Sequence, residues 1–252
     1  MILAAIDQES RDVLDALVTV ADRVQSKLTS FSLTLDQFWA KGSRFALAVR
    51  MVRLVRVFRV TAEGGYAHEA EMILRPFLEV FVDWLYIGTN PDDLGERYLS
   101  YGDAAHLQHL RDHGLVAEET KFLAAHGDKV QEFCARYGKG GGKLPRDWSG
   151  ESIGCRAEKG GLTNYHGRVY RHLCHLIHND PAALPRYVQM PPGGVLGGQW
   201  GPDDAAQLHR PIALAALTFL AWAKEANDHL DLDIEALLDE VGPKAMAYAG
   251  LG

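Results

Sequence analysis

The residues most able to do chemistry sit in one stretch, Tyr170-Arg171-His172-Leu173-Cys174-His175-Leu176-Ile177-His178-Asn179-Asp180-Pro181. It carries an arginine, three histidines and a carboxylate, and it has a helical period. Arg171 and His178 are seven residues apart, so on a helix they differ by only about 20° in azimuth and by about 10 Å in rise. A histidine titrates near neutral pH and serves as a general acid or base. An arginine grips phosphate through paired hydrogen bonds and opposes the charge that builds in a phosphoryl transition state. The pair therefore suits metal-free cleavage of RNA by its own 2′-hydroxyl. One histidine per chain cannot easily serve both proton transfers, which calls for a homodimer or a second histidine.

Two other readings of the same stretch stand beside this one. His172, His175 and His178, with Asp180 or His166 added, have the side chains of a metal site, and Glu79 could complete a metal-dependent hydrolase. Steps of three residues leave His172 and His178 about 120° apart, however, and the Glu-x-x-His pattern of helical metal bundles is absent. In the third reading the polar residues are structural: His178 favours the carbonyl end of its helix, Asn179-Asp180-Pro181 stops it, and Arg171 neutralises Glu79.

Glu79 enters because it lies on the line defined by Met72 and Tyr86, two turns to either side, which half-buries it in the third helix. A buried carboxylate needs a partner. Arg75, one turn earlier, is the local candidate, although arginine before glutamate is the weaker order for such a pair. Pro76 between them predicts a kink or a helix start.

The elements that must hold these residues read as helices throughout. Apolar positions recur at three- and four-residue steps over 2–28, 35–62, 66–88, 94–113, 117–137, a short helix ending near Lys159, the central helix 164–179, then 203–230 and 234–248. No run alternates as a strand would. The expected architecture is an all-α, single-domain bundle of eight or nine helices spanning 1–252, with the helices of 203–250 packing on the rest. Pro181 to Pro202 is rich in glycine and proline and reads as a long irregular loop. In the second helix Arg44, Arg50, Arg53, Arg56 and Arg59 wrap round the cylinder, as salt bridges to acidic neighbours or as an RNA-facing stripe. His106, His109 and His113 share one face, which reads as solvated. The run from Gly138 to Pro145 is glycine-rich but lacks the Gly-Lys-Ser/Thr of a phosphate-binding loop.

Composition narrows the class. The chain has 252 residues, 47% hydrophobic and 23% charged, with a net charge of −7. That composition is globular, and the acidic balance argues against a broad nucleic-acid surface. The longest strongly apolar run, Pro211 to Ala223, is too short to span a bilayer, so no membrane is expected. No secretory signal is read at the start, and three widely spaced cysteines fit free thiols in the cytoplasm.

Leu74-Arg75-Pro76-Phe77-Leu78-Glu79, then Trp148-Ser149, then Tyr170-Arg171-x6-His178-x2-Pro181 resemble a bacterial family of unknown function over roughly residues 40–181. Its members read Leu-Arg-x-x-x-Glu and later Tyr-Arg-x-x-Ser-x-x-Val-His-Pro. Cys174 stands where that pattern has serine, and Asn179-Asp180 intervene before Pro181. The Arg…His spacing in turn resembles the HEPN (higher eukaryotes and prokaryotes nucleotide-binding) superfamily. That resemblance implies a metal-independent endoribonuclease of a toxin or defence system, without cofactor. Arg171 and His178 would be catalytic and His172 accessory; Arg75, Glu79, Tyr170 and Asp180 would form the binding surround, with Glu79 orienting Arg171. It also implies RNA as substrate, a homodimer and an antitoxin partner. The alternative function is a non-enzymatic helical module that binds a nucleotide or a partner.

Overall fold

The structure, a computed structural model, describes residues 6–138, 144–145, 147–177, 188–189, 197–198 and 205–251. Helix α1 (Gln8–Thr29) begins where Asp7 accepts a hydrogen bond from the Ser10 amide at 2.7 Å. This N-cap, rather than the start of the apolar pattern, sets the boundary. After a single 3₁₀ turn (Leu35–Gln37), α2 (Phe38–Glu63) runs beside α1. Gly64 and Gly65 close it, with Gly65 at φ 81°, and α3 (Ala67–Gly88) follows. Pro76 does not start a new helix, since α3 is continuous through it.

Helices α4 (Pro91–Asp112) and α5 (Val116–Tyr137) form an antiparallel hairpin. Helix α6 (Ile153–Lys159) is capped by the Ser152 hydroxyl, which accepts from the Cys155 amide at 3.2 Å. Next come α7 (Thr163–Tyr165), a π-wound segment (His166–Tyr170) and α8 (Arg171–Ile177). Helices α9 (Ala205–Leu230) and α10 (Glu235–Tyr248) end the chain. With 163–177 taken as one interrupted helix, the described residues contain nine helices in an all-α bundle. Within the stretch read as an irregular loop, Val188–Gln189 pairs antiparallel with Gly197–Gly198.

The core forms where α2, α3 and α9 meet, because each presents large apolar side chains at helical spacing to the others. Trp84 of α3 meets Trp222 of α9 edge-on, with ring centroids 5.6 Å apart. Phe58 of α2 meets Phe77 of α3 at 5.9 Å. All four rings are fully buried. α1 and α10 close one side, joined by a 2.7 Å hydrogen bond between the buried Ser10 and Tyr248 hydroxyls. The α4–α5 hairpin has its own smaller cluster around Leu107, Val130 and Phe133, tied to the main core through Tyr101. α4 lies close against α2 because residue 95 is glycine: a Cβ there would come within 2.3 Å of the Trp39 carbonyl oxygen. Helix α3 also receives α6 and α8.

Candidate functional site

One strip of α3 is charged, and its first member, Glu71, lies 3.9 Å from Arg210 of α9. Glu71, Arg75, Glu79 and Asp83 follow at four-residue steps, a strip that leans round the helix by about 40° per step. Glu71 and Asp83 are buried, and Arg75 and Glu79 are half-buried. Four charges on one side of an otherwise apolar helix need partners from the elements that cover it.

Arg75, Glu79 and Tyr170 form a closed triangle. Arg75 Nε donates to Glu79 Oε1 at 2.9 Å and to the Tyr170 hydroxyl at 3.2 Å, and that hydroxyl donates to Glu79 Oε1 at 2.9 Å. The guanidinium also lies over the tyrosine ring, 5.3 Å from its centroid. Burial, reinforced by the neighbouring Glu79 carboxylate, pushes the Tyr170 hydroxyl far above its ordinary range, so it stays a donor. Burial opposes the charge on Arg75, but the bonds to Glu79 and Tyr170 outweigh it and raise the guanidinium. The expectation that Arg75 partners Glu79 is met.

Glu79 does not orient Arg171. Its carboxylate is taken up by Arg75 and Tyr170, whereas Arg171 is exposed and makes no hydrogen bond or ion pair with any described residue. The helix that carries Arg171 also differs from a regular one. Residues His166–Tyr170 are π-wound immediately before it, so the azimuths of the residues ahead of Arg171 are shifted from those of an uninterrupted α-helix. Such bulges mark functional sites often enough to be informative. The anchored Tyr170 and the free Arg171 thus stand at the junction of two windings. His172 is half-buried next to them. His178 and Asp180 lie outside the described residues, as do residues 139–143 of the glycine-rich loop and most of 181–202.

The strip continues into a second network, which sequence reasoning missed. Arg156 of α6 is buried and reaches across to Asp83, Nε to Oδ1 at 3.0 Å. The two atoms are close without being aligned as a hydrogen bond, and each is buried without another partner. Arg156 Nη1 instead donates to Asp147 at 2.6 Å and to Ser149 Oγ at 2.8 Å, and its plane sits 5.6 Å from the Trp148 ring centroid. Asp83 Oδ2 accepts only a long bond, 3.4 Å, from the Trp148 indole. Burial opposes ionisation of Asp147, but hydrogen bonds from Ser149 and Arg156 outweigh it and hold its carboxyl below the usual range. Burial pushes Asp83 up to about 7 although Arg156 is adjacent. One guanidinium serves two carboxylates here, and the better-bonded Asp147 keeps its charge. Asp83 is then the carboxyl that holds its proton. Asp83 lies one turn beyond Glu79 in an apolar stretch, and a carboxylate in such a place was the available signal.

The remaining expectations divide. Arg56 pairs with Asp22 at 2.8 Å and Arg59 with Asp15 at 2.6 Å, so part of the arginine run serves as bridges from α2 to α1. His109 and His113 pack as tilted rings 4.2 Å apart, and His126 lies 3.5 Å from Asp103. Among the described residues no group of three or more His, Cys, Asp or Glu side chains converges as metal ligands would. Cys134, Cys155 and Cys174 are free thiols. No described helix is long and apolar enough to cross a membrane.

Compared with known proteins, residues 45–195 match the model of a family of unknown function (DUF5677). No curated protein and no solved structure matches the chain.

Proposed function

We propose, on the premise that this chain belongs to the DUF5677 family of unknown function, that the surface around Arg171 binds RNA and cleaves it without a metal. One observation carries the reading. Arg75 satisfies Glu79, which frees Arg171 of the structural duty it would otherwise have and leaves its guanidinium exposed and unengaged among the described residues. An uncommitted arginine beside a rigidly anchored tyrosine is suited to holding a phosphodiester by two parallel hydrogen bonds.

In the reaction the 2′-hydroxyl loses its proton to a base and its oxygen attacks the adjacent phosphorus. The P–O5′ bond breaks, and a proton is delivered to the departing 5′-oxygen. The products are a 2′,3′-cyclic phosphate and a 5′-hydroxyl. Arg171 opposes the charge on the phosphoryl oxygens, and His178 is the expected proton-transfer group. His172 or a second copy of the chain supplies the other transfer, which makes a homodimer part of the proposal.

The test is RNA incubated with the purified protein in excess chelator. Cleavage leaving cyclic phosphate ends, reduced at least about a hundredfold in Arg171→Ala, is the expected result. Equal cleavage by wild type and variant refutes it. RNA binding that Arg171→Ala abolishes, with no bond broken, reassigns the surface to a nucleotide-binding module.

A further inference from the structure

The far end of α3 holds a second cationic site, about 20 Å along the helix from Arg75. A cavity of about 260 Å³ opens there, lined by Arg44, Trp84, Leu85, Gly88, Lys159 and His229 among others. Arg44 is buried, only 7% exposed. It forms no ion pair and no hydrogen bond among the described residues, and its Nε has no partner. Trp84, over whose ring the guanidinium lies at 5.6 Å, likewise has its indole N–H buried without an acceptor. Two orphaned donors on residues that line one cavity require an explanation.

The guanidinium is directed to the cavity wall. A Cβ on Gly88 would come within 3.0 Å of an Arg44 Nη atom, so a glycine at 88 is what lets the side chain reach that place. The other basic groups there are engaged: Lys159 with Glu151, and the His229 ring with Glu225 at 3.7 Å. Glu225 is the nearest electrostatic partner of Arg44 yet lies beyond ion-pair distance. The carbonyl ends of α3 and α6 face this region, and their negative potential helps a cation to reside there. The capping bonds run to backbone, however, from Thr89 to Tyr86 and from Gly160 to Arg156, and none reaches Arg44.

We infer that this cavity binds a small oxyanion, a phosphate or carboxylate head, through the Arg44 fork, with the Trp84 ring as the wall under the guanidinium. A planar guanidinium, desolvated and unpaired, matches both heads in geometry. The site is separate from the Arg171 surface, and its occupancy is read by stability rather than by activity.

The experiment is thermal unfolding of the full chain at constant ionic strength in chloride, inorganic phosphate or acetate. With an affinity of about 1 mM, roughly 10 mM of the bound anion raises Tm on the order of 3 °C. Phosphate and acetate arms identify the head. In Arg44→Met the anion-dependent rise disappears, and in chloride the variant melts at or above wild type because an unpaired buried charge has been removed. Gly88→Ala, which displaces the guanidinium, loses the same rise and keeps the comparison available should Arg44→Met fail to fold. A wild type that responds to neither anion overturns the inference, as does an equal response in the variants. An Arg44→Met that melts well below wild type with no anion response anywhere makes Arg44 a structural cap for the helix ends and overturns it too.

Discussion

Asp83→Asn tests the electrostatic account of the α3 strip most directly. The unfolded carboxyl has a pKa of 3.8 and the folded one about 7. Three units of difference amount to about 4 kcal/mol between the ends of the pH window, an upper bound on what one group contributes. The sign follows from proton occupancy. Between pH 4 and 7 the folded protein holds a proton on Asp83 that the unfolded chain releases. The contribution is therefore complete below about pH 4 and lost as pH rises through 7.

Asparagine has nearly the shape of the protonated acid and does not titrate. Urea unfolding followed by circular dichroism, repeated from pH 4.5 to 8.5, should show the variant gaining on wild type by about 2–4 kcal/mol across that range. The difference between the two curves matters more than either alone. His229, whose pKa burial lowers with Arg44 adding to it, gives the opposite slope near pH 6.5 in both proteins and cancels. Asp147 acts only at lower pH and cancels as well. A flat difference curve would refute the reasoning, because it would mean that the misaligned Arg156 contact fully repays the burial of a charged Asp83. A difference of opposite slope would refute it more strongly.

Two further outcomes are expected. Gly95→Ala places a methyl against the Trp39 backbone carbonyl, which cannot swing aside, and should destabilise by about 3 kcal/mol or more as α4 is pushed off α2, read as a Tm drop of several degrees or loss of soluble protein. The triple variant Arg75→Met/Glu79→Leu/Tyr170→Phe replaces a largely buried polar triangle by apolar groups of similar size. It should melt within a few degrees of wild type and yet lose RNA cleavage; a collapse in Tm would make the triangle a stabilising element instead.

What was legible in the sequence was local. Arg75 and Glu79 are one turn apart, so their pairing needs only the helical period. The bridges from α2 were readable as a class, though not as particular pairs. What was not legible depends on distant segments. Asp83 and Arg156 are 73 positions apart and meet only because α6 covers α3. Arg44 reads as one of five arginines in a run, and nothing in its neighbours says that it turns inward over Trp84. The π-wound segment escaped for another reason: its residues have an ordinary helical pattern, and nothing in them marks the change of winding. Arg171 was given Glu79 as a partner, but Glu79 had a nearer arginine in Arg75.

These particulars point to one role for α3. Its apolar side joins α2 and α9 and supplies the stability. Its charged strip adds little, since buried ion pairs barely recover the cost of leaving water. What charged pairs do supply is direction: a hydrogen bond fixes an angle where an apolar contact tolerates slippage. Tyr170 is held by two such bonds, and Arg171 follows it directly in the chain. The position of Arg171 is therefore specified to within one peptide unit by residues that do no chemistry themselves. A scaffold that needed only to be stable would have filled these positions with apolar side chains, as it did elsewhere on α3. That it carries Glu71, Arg75, Glu79 and Asp83 instead is the reason to look for function where the middle of the strip meets Tyr170, at the start of α8.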